Sequence, residues 1–181
     1  MCESCSSKFL RCKKLSANNK NVLVVADLPL ARFEKLLAKY DLTLRLQRGD
    51  QPITGSFWGD EEAGIIGRDV YVRNDTPIHS LLHETCHTIC MTQERREQLD
   101  RDAGGDYLEE AAVCYLQIVL ADEIEGVGRH RLMSDMDAWG YSFRLGRTQL
   151  WFEDDAEDAR KWLLEQRLLS DSGMPVFRLR V

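Results

Sequence analysis

His83, Glu84 and His87 stand together in the stretch His83-Glu84-Thr85-Cys86-His87, which holds two of the four histidines in 181 residues. Side chains four residues apart on a helix project from one face, one turn apart, and this is the spacing at which two imidazoles share an ion. Glu84 lies about 100° round the helix from His83. That offset removes it as an equivalent ligand but leaves it within reach of a water on the ion, where a carboxylate serves as general base. Metal-assisted hydrolysis is the chemistry such a set can do. Zinc at a catalytic centre takes three protein ligands and keeps one position open, so a third ligand must come from another element.

The stretch Tyr107-Leu108-Glu109-Glu110-Ala111-Ala112-Val113-Cys114-Tyr115-Leu116-Gln117 supplies the candidates. Glu109 heads a row of Ala112, Val113, Leu116 and Leu120, an apolar helix face that must be buried, and a carboxylate there is costly unless an ion compensates it. Glu109 is therefore the expected third ligand. Glu110, which shares a wetter side with Gln117, is the alternative.

His83-Glu84-x-x-His87 followed by Glu109 in E-x-x-A resembles the gluzincin group of zinc metallopeptidases. In scale the chain is similar to the small minigluzincin and ImmA/IrrE-like members. The resemblance runs from Ile65 to Glu123. It implies a zincin-like fold in which an edge strand lies beside the cleft and is followed by the active-site helix and then the glutamate helix. It further implies Zn2+ on His83, His87 and Glu109, Glu84 as base, and a peptide or protein substrate held along the edge strand. One departure stands out: many relatives carry Asp four residues after the ligand glutamate, supporting the first histidine, whereas this chain has Val113. A different acceptor must then orient His83.

Further residues are candidates for substrate or oxyanion contacts. His79 is one turn before His83 on the same face, and Tyr141 and Arg144 follow in an aromatic-rich segment; Tyr107 and Tyr115 are weaker donors. Asp135 or Asp137 could accept a ligand histidine's second N–H. Cys90 lies on the histidine face, which keeps open a closed zinc site of His83, His87, Cys90 and Glu109. Zinc-dependent peptide hydrolysis thus has a rival, a non-catalytic zinc-stabilised regulatory or protein-interaction module.

These residues need elements to hold them. Asp75-Thr76-Pro77 predicts a helix start with a capping residue before proline, and the helix should run from about Pro77 to Met91, burying Ile78, Leu81, Leu82, Thr85 and Ile89. A second helix is expected from about Tyr107 to Glu123, after Gly104-Gly105. Strands are predicted over 21–27, 42–46, 65–73 and 176–180, with helices over 30–40 and 154–169. The segment from Arg48 to Gly64 reads as a long connection pinned by Phe57 and Trp58, and no helix is predicted between Gly126 and Phe143. The expected fold is α+β, with a small twisted sheet in one domain over 21–181.

A net charge of −6 argues against general nucleic-acid binding, and no run approaches a membrane span. Residues 1–20 form a basic tail with Cys2, Cys5 and Cys12. Cys2-Glu3-Ser4-Cys5 has the two-residue spacing of a zinc knuckle but lacks the second pair, so a solvated tail is the plainer reading. No secretory signal is visible, and a cytoplasmic protein with reduced thiols is expected.

Overall fold

The computed structural model describes residues 21–57, 60–99 and 103–181. The tail with Cys2, Cys5 and Cys12, and Trp58, lie outside the described residues. Helix α1 (Leu30–Ala38) buries Phe33, Leu36 and Leu37 at helical spacing. Asp41 then takes a left-handed conformation (φ 57°), which Asp tolerates better than most residues, and the Leu42 N–H closes on the Leu37 carbonyl at 3.1 Å. The chain turns into β1 (Thr43–Leu46).

Strands β2 (Gly64–Ile66) and β3 (Asp69–Val72) form a hairpin. Gly67, first of the two turn residues, has φ 57°, the positive φ that a two-residue hairpin turn needs to match the strand twist. The predicted 65–73 strand is therefore two strands. The sheet order is β1-β3-β2, with β1 parallel to β3 and β2 antiparallel to it. Only β2 of the hairpin is an edge; β3 is central.

Helix α2 (Ile78–Cys90) begins one residue later than predicted. The Pro77 carbonyl accepts from the N–H groups of Ser80 and Leu81, while the Thr76 hydroxyl accepts from the Arg73 N–H instead of capping the helix. At the other end the buried guanidinium of Arg96 donates to the carbonyls of Thr88 (2.9 Å) and Met91 (2.7 Å), where the helix dipole is negative. Arg96 belongs to α3 (Gln93–Glu97), whose first turn is capped by Thr92. Helix α4 (Tyr107–Ala121) is capped by Asp106, whose carboxylate accepts from the Glu109 N–H at 2.8 Å.

Helix α5 (Arg129–Trp139) ends at Gly140 in a left-handed cap, φ 104°. Its polar run defeats the periodicity argument, so it was not predicted. The helix predicted over 154–169 is the shorter α7 (Glu157–Glu165), and it is preceded by an unpredicted helix, α6 (Thr148–Asp154), from which Asp155–Ala156 separates it. Residues 21–27 form a bridge from Val24 to Pro77 and a 3-10 turn at Val25–Asp27, in which the Asp27 carboxylate captures the Val24 N–H and competes with any ladder. Residues 176–180 are not a strand, because Phe177 takes φ 54°; instead the Arg180 N–H bonds to the Ile89 carbonyl at 3.0 Å.

The fold is mixed α/β, with a small three-stranded sheet and, among the described residues, seven α-helices. One apolar cluster runs from α1 through the sheet to α7, with α2 and α4 packed together at its centre. Cys86, Cys90 and Cys114 are buried free thiols within it. Phe57 is 57% exposed, whereas Ile53, Ser56 and Ala63 are buried in the 48–64 segment. No helix among the described residues is long and apolar enough to cross a membrane.

Candidate metal centre

Helix α2 is buried on almost every side, and its half-buried positions are His83 and Glu84. His83 and His87 leave it one turn apart, with Nε2 atoms 3.1 Å from each other. Glu110, in the first turn of α4, reaches both: Oε1 is 3.3 Å from His83 Nε2 and Oε2 is 3.3 Å from His87 Nε2. Atoms bound about 2.0–2.1 Å from a tetrahedral zinc lie about 3.3 Å apart. The two imidazole nitrogens thus have the spacing of two corners of such a tetrahedron, and each oxygen of Glu110 stands at that distance from one of them. Among the described residues they form the group of His, Cys, Asp or Glu side chains able to hold a metal ion.

Glu109, the expected third ligand, is elsewhere. The residue is 6% exposed, and its carboxylate meets other partners: Arg95 Nη1 donates to both oxygens (2.7 and 2.9 Å) and Arg180 Nη1 adds a third bond at 3.1 Å. A buried carboxylate does need compensation, but two guanidiniums supply it here. The Cys90 thiol is not part of the group either.

The acceptor for His83 is Gln117. Its Oε1 is 2.8 Å from His83 Nδ1, and its Nε2 is 2.9 Å from the Met136 sulfur of α5. Gln117 is fully buried although its side of α4 was expected to be wetter. Neither aspartate named above takes this place. Asp135 accepts from the Leu23 N–H and Arg131, and Asp137 from the backbone and hydroxyl of Thr148.

Tyr141 lies over the site, its ring 6.0 Å from that of His83 and 5.5 Å from that of His79. His79 is 1% exposed, 4.8 Å from the Trp139 ring, and is enclosed by these aromatics. Arg144 pairs instead with Asp155, Nε to Oδ2 at 2.9 Å, on the surface. Tyr107 is exposed, and Tyr115 stacks on Phe152 at 4.5 Å, so neither donor candidate reaches the cluster. Glu62, just before β2, was missed by sequence reasoning. Burial pushes its carboxyl pKa up, against the pull of His83 and a hydrogen bond to Trp139. The signal available was only its position between an acidic run and a strand.

The electrostatics couple the three donors. Burial penalises the charged imidazole of His83, but Tyr141, Glu110 and Cys114 around it outweigh this and hold its pKa well above the usual range. Burial likewise opposes charge on Glu110, and the two imidazoles overcome it, lowering its pKa to about 2. The metal-free centre therefore favours a proton on His83 and a carboxylate on Glu110 beside it. A cation in the same place serves Glu110 equally well.

The outer edge of β2 is also occupied. The Ile65 N–H points away from β3 and bonds to the Gly55 carbonyl at 3.3 Å, and a methyl group on Gly64 would sit 2.1 Å from the Thr54 carbonyl oxygen. The edge expected to be open to a peptide is met by the chain's own 54–56 turn. No family model matches the chain, and no curated protein or solved structure does either.

Proposed function

We propose that this chain is a zinc-dependent peptidase with a zincin-like arrangement, in which His83, His87 and Glu110 hold the ion. The observation that carries the reading is the meeting of these three side chains from two packed helices: the imidazole Nε2 atoms are 3.1 Å apart, and each lies 3.3 Å from one carboxylate oxygen of Glu110. Zinc, when bound, supplies Lewis acidity: it lowers the pKa of a water to about 7 and polarises a carbonyl. Glu84, on the same helix and half-buried, takes the proton from the attacking water and returns it to the leaving amine. Tyr141, whose ring is 6.0 Å from that of His83, would donate to the developing oxyanion. His79 backs this wall.

The second reading, a zinc-stabilised module without turnover, draws on the Gly55 contact along β2, which occupies a main-chain donor that an added peptide strand would use. Metal analysis of protein purified without added metal, together with turnover of a peptide library by native and Glu84→Gln chains, separates the readings. The peptidase predicts near one equivalent of zinc in both proteins, and turnover falling about 10²- to 10⁴-fold in Glu84→Gln. Zinc with no native turnover favours the module. Equal turnover in the two proteins removes Glu84 as base, and absence of metal removes both readings.

A further inference from the structure

We infer that Gln117, steered by Met136, is the positioning residue that sets the tautomer and ring orientation of His83. The inference rests on the proposed ion at His83, His87 and Glu110. It begins with a thioether, which has lone pairs and no proton, so it can only accept. The Gln117 group facing the Met136 sulfur at 2.9 Å must therefore be the amide NH2. The amide oxygen then faces His83 Nδ1 at 2.8 Å, and an oxygen that can only accept requires a proton on Nδ1. A neutral imidazole protonated at Nδ1 has its lone pair on Nε2. That is the atom lying 3.1 Å from His87 Nε2 and 3.3 Å from Glu110 Oε1.

The chain of contacts crosses three helices, from α5 through α4 to α2. Gln117 is fully buried, so bulk water does not compete for either end of its amide. It sits seven residues after Glu110, two turns along one helix stripe, so a single face of α4 presents both a ligand and the acceptor that orients another. Val113 is apolar and buried, and it leaves this task to the next turn. A carboxamide also fixes the ring without adding a second negative charge beside Glu110. His83 is thereby a weaker donor than an imidazole backed by a carboxylate.

The test compares Gln117→Met, which keeps length and removes the acceptor, with Gln117→Glu, which restores one. Zinc affinity is read by competition with a chromophoric chelator, and site geometry by the absorption bands of Co2+ in place of zinc. Gln117→Met should bind zinc about 10- to 100-fold more weakly with altered Co2+ bands, and Gln117→Glu, which keeps an acceptor for Nδ1, should bind zinc more tightly than Gln117→Met. Circular dichroism of each metal-free variant establishes that it is folded. Native-like affinity and bands in folded Gln117→Met overturn the inference. If Gln117→Met does not fold, long-range 15N–1H spectra of the native chain decide, at a pH where the His83 ring is neutral. A proton on Nδ1 supports the inference and a proton on Nε2 overturns it. A native chain with no zinc affinity sinks the peptidase reading, and the same spectra, taken without metal, still judge Gln117.

Discussion

Glu109 and Glu110 are neighbours in sequence, begin the same helix and end in opposite surroundings. Glu109 is locked by Arg95 and Arg180, cations that stay charged throughout the physiological range and form a fork matched to a carboxylate. Glu110 faces His83 and His87, which can lose their protons and offer lone pairs instead. The first arrangement can only hold the structure together. The second can exchange its protons for a metal ion. Burial of a carboxylate therefore says that a positive partner exists; the chemistry of that partner says whether the place is a fastening or a site.

The sharpest way to break this comparison is to delete each carboxylate in turn. Glu110→Ala should weaken zinc binding by about a hundredfold or more, since the binding free energy of zinc is spread over few ligands. Equilibrium dialysis against a metal buffer measures it, and zinc affinity unchanged in this variant would return the third-ligand role to another residue. Glu109→Ala should instead cost about 2–3 kcal/mol of folding stability, by urea denaturation, because two partly buried guanidiniums lose their common acceptor. Its zinc affinity should stay near native. Equal loss of metal binding in both variants would erase the distinction.

A smaller effect is expected with pH. In the metal-free protein Glu110 is depressed to about 2, so its contribution to stability is present above the ordinary carboxylate pKa and is lost as the pH falls through the folded value. His83 is shifted up, so its contribution is complete below its ordinary value of 6.5 and fades as the pH rises through the folded one. The metal-free protein should be favoured by this pair in the window between those limits. Zinc must displace the His83 proton, so in unbuffered solution its uptake at neutral pH should release acid, and affinity should fall about tenfold per pH unit on acidification below the folded His83 pKa. Zinc binding with no proton release would contradict the sign.

The sequence made the two central helices legible because each has a start signal and, in α2, an apolar set at helical spacing. That His83 and His87 come together on one face follows from that spacing alone. The carboxylate beside them did not. Glu109 looked like the ligand because a carboxylate on an apolar face needs a cation, but the cations arrive from Arg95 and Arg180, 14 and 71 residues away. No local pattern announces such partners. Gln117 was read as part of a wetter stripe for a related reason: a polar side chain marks a helix face as exposed until its partners, here His83 and Met136, are known. Helix α5, which brings Met136, was itself hidden by the polar residues of Arg129–Trp139.

The contact between Gly55 and Ile65 bears on how anything could be received at that margin of the sheet. Since Ile65 already has a companion, an incoming strand enters by exchange and not by simple addition. Its apparent affinity is its intrinsic affinity scaled by the fraction of time Gly55 has let go. Selectivity would then begin with the right to displace, ahead of any side-chain preference.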